Sequence, residues 1–199
     1  RPALRPSGSA AMRPYRSKIQ MVFQDPFASL NPRTRIGKII AQGPMMYGIS
    51  PEDAKKRTLE LLEIVGLDER AYNRFPHEFS GGQRQRIGIA RSLALEPEIL
   101  VADEPVSALD VSIQAQILSL LDEIRDRMNL SMIFITHDLR VAAQVCDRIA
   151  VMQRGKVVEI GPTGKLFANP QATYTRELLS AVPGKDWFKP QEPMQVPGK

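Results

Sequence analysis

The sequence predicts an α/β domain: a doubly wound, largely parallel sheet flanked by helices, with a helical subdomain inserted into it. Two short unbroken apolar runs, Ile99-Leu100-Val101-Ala102 and Met132-Ile133-Phe134-Ile135, read as parallel strands buried on both faces. Each is followed by a helical pattern, and alternation of strand with helix is the grammar of such sheets. The stretch 28–95 is instead almost wholly helical in pattern, so a helical layer precedes the first of these runs.

Taken in order, residues 1–18 are basic, proline-broken and without a period, and are expected to be irregular. Ile19–Phe23 reads as a short strand ending at Gln24-Asp25-Pro26, and a short helix is expected around Ile36–Ala41. The next helix is better marked. Ser50 is its N-cap, Pro51 suits the first position, and Asp53 stands at N3 of a capping-box-like arrangement. Ala54, Leu61, Leu62 and Val65 form its apolar face, and Gly66 stops it. Another helix runs from Ser80 to about Leu95, closed by Glu96-Pro97. Asp110 caps a long helix whose face is Ile113, Ile117, Leu120, Leu121, Ile124 and Met128, and a shorter one covers Leu139–Val145. Arg148–Met152 and Val157–Ile160 flank Gln153-Arg154-Gly155-Lys156 and form a hairpin. The expected organisation is a lead-in over 1–18, a sheet domain over 19–160, and an extension over 161–199 that ends in a loosely ordered Pro/Gly-rich tail from Val182.

With 43% hydrophobic and 25% charged residues among 199, the chain fits one packed domain. No run approaches the ~18–20 apolar residues of a spanning helix, and the basic start lacks the apolar stretch of a signal peptide. A soluble, cytoplasmic protein is therefore expected. The net charge of +5 is spread along the chain, and aromatic residues make up only 6%, so no nucleic-acid partner is expected. The single cysteine, Cys146, excludes a disulfide framework or a cysteine metal site and is expected to be a small buried side chain.

Four polar features fall at one predicted edge. In open α/β sheets ligands bind beyond the carboxyl ends of the strands. Asp103-Glu104 follows the run Ile99–Ala102 directly. One carboxylate there can hold Mg²⁺, which takes oxygen ligands, and its neighbour can polarise a water for attack on a γ-phosphate. Taken alone, the pair reads more readily as a solvated turn. Ser80-Gly81-Gly82-Gln83 opens a helix, where glycines let backbone N–H groups approach an anion and the dipole favours negative charge. By itself it reads as an N-cap with a hinge. His137, just past Met132–Ile135, can contact a phosphate, and Gln24 ends the first strand. Each is weak alone; their shared placement is the signal.

The ordered set resembles the ABC ATPases. Val22-Phe23-Gln24-Asp25-Pro26 resembles their Q-loop, Phe79-Ser80-Gly81-Gly82-Gln83 their signature, and Ile99–Glu104 their Walker B strand with its catalytic glutamate. Ser107-Ala108-Leu109-Asp110 resembles the D-loop and His137 the switch histidine, so the likeness spans about residues 19–160. Ala28-Ser29-Leu30-Asn31-Pro32-Arg33, Phe79, and the tail from Gly161-Pro162 through Phe167-Ala168-Asn169-Pro170 to Tyr174-Thr175 are similar to the oligopeptide/dipeptide/nickel importer branch. Ala172-Thr173 departs from that branch, where His-Pro commonly stands before the tail Tyr-Thr.

The resemblance implies an ATP-hydrolysing subunit at the cytoplasmic face of the inner membrane, working with transmembrane permease subunits and a second ABC ATPase subunit. It implies Glu104 and His137 as catalytic and Asp103 with Gln24 at Mg²⁺. Gln24, Ser80, Gly81, Gly82, Gln83 and Asp110 would attend ATP, the signature residues acting on the partner's nucleotide. The segment 28–78 would face the permease. One element departs: none of the chain's Gly-Lys pairs is followed by Ser or Thr, so the 199 residues contain no Gly-x4-Gly-Lys-Ser/Thr phosphate loop. A truncated chain is expected on that ground, one that binds ATP weakly, does not hydrolyse it alone, and leaves its helices and strands short of packing partners. The alternative is a non-catalytic fragment that docks on a transporter or partner ATPase. A DNA-repair or chromosome-associated ABC ATPase is disfavoured, because Gln24 and Ser80 stand only 56 residues apart with neither heptads nor cysteine pairs between them. The transported solute is not legible, since the family's ATPase subunit does not touch it.

Overall fold

Three strands form a parallel sheet in the order β1-β2-β3, with β1 at Ile19–Val22, β2 at Ile99–Asp103 and β3 at Ser131–Ile135. The register sets Ala102 between Val22 and Phe134, and Ile99 between Ile19 and Ser131. This computed structural model describes residues 9–25 and 29–182. Outside them lie residues 1–8, the Pro26 end of the first expected turn with Ala28, and all but the first residue of the expected Pro/Gly-rich tail.

The expectation of an irregular start is corrected in part. Ser9–Lys18 is a helix, α1, with Pro14 inside it. Proline removes one hydrogen bond and crowds the preceding turn, which is why the sequence pattern argued against helix there. The helical subdomain expected over 28–95 consists of α2 (Ile36–Met46), α3 (Pro51–Ile64), two 3₁₀ turns (Glu69–Asn73 and Pro76–Glu78), and α4 (Gly81–Leu93). α3 starts as expected: Ser50 Oγ accepts the N–H of Asp53 at 3.1 Å, and Gly66 leaves the helix at φ +70°. α2 is longer than expected because Pro44 lies within its last turn without ending it.

These helices bury their apolar stripes almost completely. Ile36, Ile40, Leu62, Ile87, Ile89 and Leu93 are each at most 1% exposed, and α4 packs on α2, α3, β1 and the long helix α5 (Val111–Met128). Full burial of one such side chain stabilises by about 1.5–3 kcal/mol. In α5, Ile117, Leu120, Leu121 and Ile124 are buried as expected, while Ile113 and Met128 are only partly covered.

The strands behave differently. Val22, Leu100 and Ala102 are buried, but the residues alternating with them are not: Ile19 is 43%, Ile133 55% and Ile135 45% exposed. The expectation that β3 is buried on both faces is therefore wrong for the described residues. They cover one face of the sheet, and period-2 alternation leaves the other in solvent.

The chain divides into two units between Ile135 and Thr136, not at the expected boundary near 160. The second holds α6 (Leu139–Val145), the hairpin of β4 (Arg148–Gln153) with β5 (Lys156–Pro162), α7 (Thr163–Ala168) and α8 (Thr173–Ser180). Its core explains the boundary: Ile149 and Val151 of the hairpin pack with Ala142 and Leu166, flanked by Cys146, Phe167, Tyr174 and Leu178. The hairpin thus belongs with the helices that follow it. Its turn puts Arg154 and Gly155 at φ +49° and +76°, the two positive values a two-residue hairpin turn of the primed type needs. Cys146 is half-buried, and that burial raises its thiol pKa. Glu159 accepts the N–H groups of Gln171 (2.8 Å) and Ala172 (3.0 Å) at the start of α8, a helix with no side-chain cap of its own. The hydrogen bonds from the backbone N–H groups of Gln171 and Ala172 hold Glu159 below the usual carboxylate range.

Candidate functional site

The carboxyl ends of β1 and β2 bring two of the expected residues together. Gln24 stands two residues past β1 and Glu104 one past β2. Gln24 Nε2 donates to Glu104 Oε2 at 3.2 Å. Asp103 is the last residue of β2, partly covered, and pairs in register with Ile135. Since Gln24 turns its amide N–H toward Glu104, its carbonyl oxygen and the Asp103 carboxylate remain as oxygen donors of the kind Mg²⁺ takes. The donor set fits that ion.

Beyond Glu104 the chain turns at Pro105 and Val106. The Ser107 N–H and hydroxyl both reach the Glu104 carbonyl, at 3.3 and 3.1 Å. The amide of Gln114, on the first turn of α5, then clasps this loop by donating to Val106 O and Leu109 O, both at 3.0 Å. Sequence reading passed over Gln114, because a glutamine on a helix carries no signal until the loop it holds is seen. Asp110 sits at the N-cap of α5 as expected, but its side chain makes no capping bond and is exposed, which corrects its expected role as a side-chain cap. Gln114 fastens the loop in its place.

Ser80-Gly81-Gly82-Gln83 opens α4 through a full capping box: Ser80 Oγ accepts Gln83 N–H at 3.3 Å, and Gln83 Oε1 accepts Ser80 N–H at 3.0 Å. The two polar side chains thus fix the helix start, and the N–H groups of Gly81 and Gly82 have no intrahelical acceptor. Gly82 has a second reason to be glycine. A Cβ there would lie 2.6 Å from Ile113 Cγ2 of α5, so close packing forbids a side chain. One turn further, Arg86 donates to the Val65 carbonyl at the end of α3 (2.7 Å) and to Gln116 Oε1 on α5 (3.3 Å), tying three helices together. No local sequence pattern marks Arg86 for that role.

His137 is exposed and lies in the second unit, two residues past β3. Among the residues expected at the site, Gln24, Asp103 and Glu104 are gathered by the first unit's sheet, and Gly81 and Gly82 abut Leu109 and Ile113 of that same unit. Among the described residues, no helix is long and apolar enough to cross a membrane.

A profile described as ABC transporter matches residues 4–107. The oligopeptide transport ATP-binding protein OppF of Bacillus subtilis is 52% identical over 174 residues, 86% of this chain and 57% of that protein. The dipeptide transport ATP-binding protein DppF of Lactococcus lactis subsp. cremoris is 51% identical over 177 residues, 88% of this chain and 57% of its own length. The chain thus spans somewhat over half the length of these curated relatives. Among solved structures, cbiO1 of Clostridium perfringens, part of the ABC transporter complex cbiONQ, superposes with a TM-score of 0.73 at 28% identity, covering 88% of this chain and 68% of that one. A dimeric ATP-binding cassette in a post-hydrolysis state, bound to ADP and Pi, gives 0.67 at 32% identity over 79% of this chain and 68% of its own. On its ordered motifs, its α/β fold and these matches, the chain belongs to the ABC transporter family.

Proposed function

We propose that this chain forms part of the ATP-hydrolysing subunit of an ABC importer for peptides, which couples MgATP hydrolysis to uptake through transmembrane permease subunits. The observation that carries the reading is the hydrogen bond from Gln24 to Glu104 at the carboxyl edge of the parallel sheet. It supports the reading because ligands of open α/β sheets bind beyond the carboxyl ends of the strands, and that is where these two side chains meet. The relatives named for oligopeptide and dipeptide transport support the peptide class.

In this reading Glu104 polarises the attacking water, and Gln24 orients the Glu104 carboxylate. Asp103 and the Gln24 carbonyl would hold Mg²⁺, which supplies charge neutralisation at the phosphates when bound. The capped start of α4 presents the Gly81 and Gly82 N–H groups to the phosphates of a nucleotide held by a second ABC ATPase subunit. Asp110 attends ATP, and His137 of the second unit is the candidate for contact with the γ-phosphate of this chain's own nucleotide. The permease docks on the helical segment, at the cytoplasmic face of the membrane.

The test uses the whole protein assembled with its permease in vesicles. Glu104→Gln lowers ATP turnover by on the order of 10²-fold or more, the range of a lost general base, while ATP binding stays within a few-fold. Unchanged turnover in that variant would overturn the reading.

A further inference from the structure

Four non-glycine residues among those described have positive φ: Glu96, Glu104, Asn129 and Arg154. Three occupy places where a left-handed residue ends or reverses an element. Asn129 closes α5, Arg154 makes the hairpin turn, and Glu96 follows the end of α4 with its N–H on Leu93 O. Glu104, at φ +44°, does something else. It follows directly on a strand, precedes a proline, and carries the carboxylate that Gln24 meets.

The alternatives open to residue 104 show what that conformation achieves. Pro105 disfavours the right-handed helical region for the residue before it. Extended backbone would continue the strand's alternation and put residue 104 on the face of Leu100 and Ala102, both 0% exposed. A carboxylate there would be buried. The left-handed bend breaks the alternation and brings the side chain to Gln24 at the strand end. An L-residue does not hold that conformation without support, so the bonds around it matter. Glu104 N–H donates to Ile135 O at 2.9 Å. On the other side, the Glu104 carbonyl receives the long Ser107 N–H bond of 3.3 Å and the shorter Ser107 hydroxyl bond of 3.1 Å. Any residue but proline at 107 supplies the N–H; serine or threonine also supplies the hydroxyl. Ser107 is itself exposed, so exchanging it disturbs no core.

We propose that Ser107 is a positioning residue for hydrolysis: its hydroxyl locks the left-handed backbone of Glu104 and so keeps the Glu104 carboxylate at the strand end beside Gln24. The proposal rests on the reading of Glu104 as the group that polarises water.

The experiment compares wild type, Ser107→Ala and Ser107→Thr in the whole protein assembled with its permease. Two readouts are taken: steady-state ATP hydrolysis, and hydrogen exchange of the amides of Glu104 and Ser107. Ser107→Ala is expected to lower kcat about tenfold, the effect of one hydrogen bond felt in the transition state, with KM for ATP within about twofold. Exchange at the two amides accelerates by a similar factor while the melting temperature holds. Ser107→Thr restores both. A wild-type kcat in Ser107→Ala, a loss that threonine does not restore, or unchanged exchange at both amides overturns the proposal while leaving Glu104 as the water-polarising group. Wild-type turnover that does not depend on Glu104 overturns the proposal together with the reading beneath it.

Discussion

The helical segment from Ile36 to Leu93 and the strand β3 are built from the same kinds of residue, yet they end in opposite surroundings. Leu62, Ile87 and Ile89 are 0% exposed, whereas Ile133 and Ile135 are about half exposed. The difference lies in how each element finds a partner. A helix presents one stripe and needs one neighbour to bury it, and α2, α3 and α4 supply each other within a single stretch of chain. A strand of a parallel sheet presents two faces and needs a layer on each. The described residues provide one. The hairpin repeats the lesson in the second unit, where Ile149 and Val151 are buried while Met152 and Ile160 are 59% and 62% exposed. Apolar composition therefore predicts burial better along the helices' packed stripes than in the strands, although Met46 of α2 and Val111 of α5 are 65% and 81% exposed.

Paired truncations test that contrast most directly. Leu62→Ala should destabilise the chain by about 2–5 kcal/mol, the range for deleting a fully buried leucine side chain, while Ile133→Thr should stay within about 0.5 kcal/mol. Denaturant melts of the two variants decide it, and comparable losses would break the comparison. Next in size is Gly82→Ala. Its added methyl meets Ile113 Cγ2, and overpacking of this kind costs about 1–3 kcal/mol. The same change made in an Ile113→Ala background should recover most of the loss. No recovery would mean that Gly82 is needed for its backbone alone. A smaller effect is expected at the helix cap: Ser50→Ala should cost about 1 kcal/mol, read as a lower denaturation midpoint with unchanged slope.

The smallest effect belongs to the second unit and to pH. Glu159 has a depressed pKa because it accepts the backbone N–H groups that start α8. A group with lowered folded pKa adds stability that is fully present above its unfolded value and is lost as pH falls through the folded one. Acidification below the usual carboxylate range should therefore free the Gln171 and Ala172 amides to exchange before the first unit responds. In Glu159→Gln those amides should exchange faster at neutral pH and lose that acid dependence. Acid-sensitive exchange persisting in the variant would point to another group.

The site was partly legible in advance. Glu104, Gln24 and the Ser80–Gln83 cap stand where motif order put them, since strand ends and helix starts are marked by local residue patterns. Four features were not legible. The αL bend at Glu104 depends on bonds to Ile135 and Ser107, and the glycine at 82 answers to Ile113 on another helix. Gln114 fastens the loop where Asp110 was expected to cap, and Arg86 joins α4 to α3 and α5. Each pairs residues distant along the chain or on different elements, and no sequence period reports such a pairing.

The sequence by itself determined the order of strands and helices from Ile19 through the hairpin, the cap at Ser50, the stop at Gly66, the hairpin turn at Arg154-Gly155 and the membership of the chain in its family. These rest on backbone preferences and short-range hydrogen bonds that a few adjacent residues settle. Only the tertiary structure decided which isoleucines are covered, where the second unit begins, and how the Glu104 carboxylate is turned toward Gln24. Those outcomes depend on which faces meet. That is settled by contacts between segments tens of residues apart, and the apolar pattern of one segment does not encode its neighbour.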